Sequence, residues 1–293
     1  MREKDYEYLI KVCKARPYLV HANNIIGKRK DKKYAKKIHV LNLFAKKYLT
    51  YLNENLALTG ASKKIIAKRV ALLNDYYDFF SEYDSSHDKK IDDVFSAQSK
   101  FRSTVLEEFL AILLHDSVNE CLKDVQDAKV EIGSVKAYAN LYFYSKNFAS
   151  FAKEPSIAIN VKDQDFAIYR NVKIRMDDGK PILTSVPVVA IECKTYVDKT
   201  MFEGAAATAE KLKAGNPYTM FGIVAETYEI DKAFIPAYSR VDQVYVLRKG
   251  SRKGQINPIA CDVVEKLVED IIRHLRKPWV DVENKLTEDG LLI

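Results

Sequence analysis

The sequence predicts an α/β protein: a mixed sheet flanked by helices and preceded by a helical, basic N-terminal region. Two observations carry that expectation. Through about residue 125, apolar residues recur at spacings of three and four, the period of amphipathic helices. After about residue 135, short apolar or alternating runs take over, and "VPVVAIEC", the Ala-rich "KTMFEGAAATAEKLKAG" and "TMFGIVAE" follow in the order strand, helix, strand of a crossover unit.

Element by element, "KKYAKKIHVLNLFAKKYLTYLNENL" places Tyr34, Ile38, Leu41, Ala45, Tyr48, Leu49 and Leu52 on one helical face with lysines flanking it. "TGASKKIIAKRVALLNDYYDFFSEY" opens a second helix between Thr59 and Ser62, after Gly60. The polar stretch "SEYDSSHDKKIDD" marks a boundary, giving a helical, basic region over residues 1–90 and a second body over 91–293. In "SAQSKFRSTVLEEFLAILLHDSV", Phe101, Val105, Phe109, Ile112 and Leu113 line one side of a helix, and Glu108 shares that side. Strands are expected at "SIAINV", "DFAIYR", "VPVVAIEC", "TMFGIVAE" and "DQVYVLR", with a helix between the third and fourth closed by Gly215 and a last helix at "CDVVEKLVEDIIRHLRK".

Composition narrows the function classes. At 293 residues, 47% hydrophobic and 30% charged, the chain reads as soluble and globular, with no run near the roughly 18 apolar residues of a membrane helix. Its start, "MREKDYEYLIKVCK", has no apolar export signal, so a cytoplasmic location is expected. The four cysteines, Cys13, Cys121, Cys193 and Cys261, are far apart and form no CxxC pair, and the five histidines show no metal-binding spacing. The net charge is +7, but residues 1–70 hold 18 Lys and Arg against 5 Asp and Glu. A polyanionic partner suits that asymmetry, because neutralising phosphates releases condensed counterions; plain solubility is the other reading.

The run "VVAIECKTYV", residues 188–197, raises a chemical question. Alternate side chains of a strand share a face, so Glu192 and Lys194 project together where the apolar run ends. Asp165 opens another apolar strand, and a neighbouring strand brings such a carboxylate beside Glu192. Two carboxylates suit Mg²⁺, a hard ion that keeps several waters, and an adjacent ammonium can orient the attacking water or stabilise charge on a phosphate. An ordinary solvated ion pair at a strand end accounts for the same two residues.

An acid opening one strand, E-x-K closing the next and a glutamate-bearing helix upstream resemble the PD-(D/E)xK nuclease superfamily. The resemblance implies that Asp165 and Glu192 are metal ligands and Lys194 the catalytic lysine, with Glu108, or else neighbouring Glu107, as the helical glutamate. Gln164 stands where the superfamily often has proline, and Asp163 competes with Asp165. "QSKFRSTVLEEF" and "IECKTYVDKTMFEGAAATAEKLKAGNPY", about 40 residues together, are similar to type II restriction endonucleases of the BbvCI kind. That similarity implies Mg²⁺-dependent, sequence-specific cleavage of double-stranded DNA, leaving 5′-phosphate ends, by a homodimer or by a heterodimer with a related subunit.

For DNA binding the sequence offers Lys28, Arg29, Lys30, Lys32 and Lys33 in a basic loop, and Arg248, Lys249, Arg252 and Lys253 in "RKGSRKG". A solvated hairpin turn accounts for the second group equally simply. A structure-specific or repair nuclease of the same fold, and a non-catalytic DNA-binding subunit, remain the alternatives.

Overall fold

In the computed structural model, residues 3–96, 100–175, 181–231, 236–250 and 257–279 are described. Six helices come first: α1 (Glu3–Ala15), α2 (Val20–Lys30), α3 (Ile38–Ala57), α4 (Lys63–Ser86), α5 (Ile91–Phe95) and α6 (Ser103–Cys121). The expected face of α3 and the expected start of α4 hold. Leu41, Ala45, Tyr48 and Leu52 are buried, and Tyr34 joins them from a 3-10 turn over Lys32–Lys37. Ser62 caps α4, its side chain accepting the Ile65 N–H at 3.4 Å just after Gly60, whose φ of +83° favours glycine.

Helix α6 differs from its expected amphipathic form. Every residue from Thr104 to Leu114 is buried, because α6 packs against α2, α4 and α9 (Cys261–Arg276) as well as against strands β1, β2 and β3. It is the central helix of a core that runs without a break from Tyr6 to Ile271.

The sheet has five strands: β1 (Glu131–Tyr144), β2 (Ser156–Ile174), β3 (Ile182–Val197), β4 (Met220–Tyr228) and β5 (Gln243–Val246). They lie in chain order; β1, β2 and β3 pair antiparallel, while β4 and β5 continue parallel to β3. Two expectations change here. "SIAINV" and "DFAIYR" are halves of one long strand, β2, so Asp165 lies within a strand instead of opening one; and a further strand, β1, precedes them, its buried positions Gly133, Ala137 and Ala139 carrying little strand signal. Helix α7 (Phe148–Lys153) links β1 to β2.

The two sheet faces follow the period of two. On one, Val189, Ile191, Cys193, Met220 and Val224 pack with α6 and α9; on the other, Ala190, Phe221, Ile223 and Ala225 pack with α8 (Lys199–Gly215) through Ala205, Ala209 and Leu212. Small residues bring α8 close to β1. At Gly215 an added Cβ would lie 2.1 Å from the Ala139 carbonyl oxygen, so this glycine ends the helix for reasons of space and without a positive φ. Among the described residues, no helix is long and apolar enough to cross a membrane, and the four cysteines are free.

Candidate active site

The pairing of β2 with β3 begins at Phe166 opposite Ile191 and brings Asp165 next to Glu192. The Cys193 N–H donates to Asp165 Oδ2 at 2.9 Å, which fixes that carboxylate against β3. Lys194 Nζ then lies 2.9 Å from Glu192 Oε2 and 3.8 Å from Asp165 Oδ2. A second ammonium, Lys100 Nζ, stands 3.7 Å from Asp165 Oδ1. Burial pushes the Lys194 amine down, but Glu192 and Asp165 more than offset it, so the group holds its proton more tightly than a free lysine.

Glu107 comes from α6 to the same place. It lines a cleft of about 430 Å³ with Lys100, Ser134, Lys136, Asp163 and Asp165. Burial first, and the charge of Asp165 second, raise its carboxyl to about 7, against the pull of Lys100 and Lys194. Asp163 lies across from Lys136 on β1, whereas Asp165 has the Cys193 amide and both lysines. Geometry therefore singles out Asp165 of the two. The buried Cys193 thiol is pushed well up, chiefly by desolvation, as expected for a packing residue.

Glu108, expected here, is elsewhere. Neighbouring residues on a helix point about 100° apart, and on a helix buried all round one faces the sheet while the next faces the N-terminal helices. Glu108 Oε2 accepts the N–H groups of His21 and Ala22 at 2.9 and 3.0 Å, and Oε1 accepts the Tyr48 hydroxyl at 2.6 Å. It caps the first turn of α2, whose own cap residue, Leu19, offers no side-chain acceptor.

The model for the Bpu10I restriction endonuclease matches residues 98–257, more than half of the chain and the whole of this cluster. The chain belongs to the Bpu10I restriction endonuclease family. It is a type II site-specific deoxyribonuclease, in a family whose members generally use a divalent metal. Among solved structures, the native BbvCI A2B2 tetramer is similar at 19% identity and a TM-score of 0.61, over 88% of this chain and 96% of that one. That likeness speaks for the fold. No curated protein matches.

Does a metal fit this family member's residues? Among the described residues no three His, Cys, Asp or Glu side chains converge on one point. The cluster instead offers two carboxylates on adjacent strands, an oxygen-only donor set that suits a hard divalent ion retaining its waters.

The basic residues divide. Lys28 is buried: its Nζ donates to Asn24 Oδ1 at 2.6 Å and lies 5.2, 5.8 and 5.5 Å from the Tyr34, Phe95 and Phe101 rings, and burial lowers its amine to about 8. Arg29 stacks 3.9 Å over Tyr6 and pairs with Glu3 at 2.5 Å. Arg248 is buried too, donating through Nε to Glu226 Oε2 at 2.9 Å and through Nη1 to the Asn257 carbonyl at 2.7 Å. These three, expected on DNA, are held by protein partners, the Lys28 ammonium and the Arg29 and Arg248 guanidinium groups each lying over aromatic rings. Lys30, Lys32 and Lys33 are exposed, Lys249 pairs with Asp262, and Arg252 and Lys253 lie outside the described residues. Sequence reasoning missed Lys100, whose only signal was its place inside "QSKFRSTVLEEF".

Proposed function

We propose that this endonuclease hydrolyses both strands of a specific duplex sequence with Mg²⁺ held by Asp165 and Glu192, leaving 5′-phosphate and 3′-hydroxyl ends. The observation that carries the reading is one ammonium, Lys194, within 4 Å of two carboxylates on adjacent strands of the sheet. A surface ion pair needs one acid for one base; two acids around one lysine leave carboxylate oxygens available for a cation. When bound, Mg²⁺ would supply Lewis acidity at the phosphate and lower the pKa of a water.

The chain's own groups do the rest. Lys194 stays protonated beside its two acids and neutralises charge building on the phosphate oxygens. Asp165 is oriented by the Cys193 amide, so its free oxygens keep one direction. Glu107 holds the cleft wall opposite Lys100, and Lys100 draws the phosphate toward Asp165. Exposed Lys30, Lys32 and Lys33 of the 1–90 region grip the backbone, with Arg252 and Lys253 as further contacts.

One such cluster cuts one strand, so a duplex break needs two chains: a homodimer, or this chain with a related subunit as in the A2B2 assembly of BbvCI. Action on DNA inside the cell fits a cytoplasmic location. The test is incubation of the purified chain with a long natural duplex, with Mg²⁺ or with EDTA. Discrete Mg²⁺-dependent fragments that vanish with Glu192→Ala are expected; nicked circles alone point to a missing related subunit. Cutting of equal strength in EDTA sinks the metal assignment.

A further inference from the structure

The β1–β2 hairpin reaches past the rest of the sheet. β3 pairs with β2 from Phe166 onward, while β1 and β2 continue together from Tyr138 opposite Val161 to Tyr144 opposite Ser156. That outer stretch is a two-stranded ribbon capped by α7. Two-stranded ribbons are marginal in water and are usually covered by another element. This one is studded with exposed apolar groups: Tyr142, Phe143, Tyr144, Phe148 and Phe151 are 48, 61, 53, 81 and 55% exposed. Tyr142 and Tyr144 lie on one face and Phe143 on the other, and no residue of α7 is buried.

Charge decides what kind of partner fits. Residues 138–161 hold three charged side chains, Lys146, Lys153 and Glu154, in a chain that is 30% charged. A phosphate-binding arm needs cations in number, whereas aromatic enrichment with depletion of charge marks the core of a protein interface. With so little charge, two copies of the arm meet without repulsion.

We infer that this aromatic arm is a subunit interface, packing against the same arm of a second copy of the chain around a twofold axis. The inference rests on the oligomeric reading above and names the surface that serves it. At about 100 Å² of uncovered area per ring, five rings give on the order of 500 Å² per arm. Two arms together then bury on the order of 1,000 Å², about the lower bound of a specific interface. The BbvCI A2B2 tetramer, similar over most of both chains, contains two copies of each of its subunits.

The experiment is sedimentation equilibrium of the full chain and of Phe148→Ser/Phe151→Ser, with circular dichroism and cleavage of supercoiled DNA on both. Wild type is expected to self-associate and the variant to associate at least about 100-fold more weakly, with unchanged dichroism and nicking retained. Independently, Phe148→Cys should form a disulfide-linked pair on oxidation, where wild type, with its native cysteines, does not. A monomeric wild type overturns this surface and the homodimer form of the oligomeric reading, and leaves pairing with a related subunit standing. An associating wild type whose variant associates equally well overturns the surface alone. Unchanged association with weakened DNA binding assigns the arm to DNA instead, and also overturns it. Loss of dichroism in the double variant leaves the cysteine cross-link to decide: no pair, no twofold contact.

Discussion

Two carboxylates that are neighbours in sequence occupy opposite kinds of environment. On the sheet side of α6, Glu107 faces a cleft with Asp165, Lys100 and Lys194. On the bundle side, Glu108 sits in a closed socket and accepts three hydrogen bonds, two of them from the first turn of α2. A carboxylate whose oxygens are satisfied by neutral donors has nothing left for a substrate. One that faces cations and open space does. Burial raises both carboxyls to about 7, so a shifted pKa by itself does not separate the two; the surroundings do.

That contrast can be broken in several places. The largest effect is expected at the lysine between the acids: Lys194→Ala should cut the cleavage rate by at least about 10³-fold, several kcal/mol of barrier, with the melting temperature little changed. Equal rates in single-turnover assays would remove Lys194 from the chemistry. Glu108→Ala should do the reverse. It strips three buried donors of their acceptor and should cost about 3 kcal/mol of unfolding free energy by denaturant titration, with activity per folded molecule near wild type. If Glu108→Ala folds normally and does not cut, the division between the two glutamates is wrong.

A smaller effect sharpens the same comparison among the cations. Replacing exposed Lys30, Lys32 and Lys33 with alanine should flatten the salt dependence of DNA binding by about three counterions, measured as the slope of log affinity against log salt. Lys28→Met, which keeps the buried stem, should leave that slope alone; a drop in slope at Lys28 would mean that the ring-bound amine swings out to DNA.

The smallest effect is in pH. Burial pushes the His21 imidazole down to about 3, so between pH 6.5 and 3 the unfolded chain binds the extra proton and stability falls with acid. The raised Glu108 carboxyl acts in the opposite sense: its contribution is fully present below about 4.5 and is lost as pH rises through about 7. Between 4.5 and 6.5 the two oppose each other. Glu108→Gln should therefore steepen the acid loss of stability in that window, by up to about 1.4 kcal/mol per pH unit. Parallel profiles for wild type and variant would show that one of the two groups does not titrate as described.

Much of this molecule was legible because local periods carry it. The α3 face, the β3–α8–β4 crossover and the shared face of Glu192 and Lys194 all follow from spacings of three to four or of two. Strand β1 was not legible, since its buried positions are filled by Gly133, Ala137 and Ala139, residues of low strand propensity. The close approach at Gly215 was read as a helix stop because sequence shows the glycine and not the Ala139 carbonyl it must clear.

By itself, the sequence determined the fold class, the two apolar runs that carry the acids, and the shared face of the E-x-K pair in one of them, because each depends on residues a few positions apart. Tertiary structure alone decided which glutamate of α6 reaches those acids, and which cations turn inward. A helix that is apolar on every side has no period to mark its functional face. A lysine or arginine looks the same in sequence whether its stem crosses solvent or a ring of Tyr34, Phe95 and Phe101.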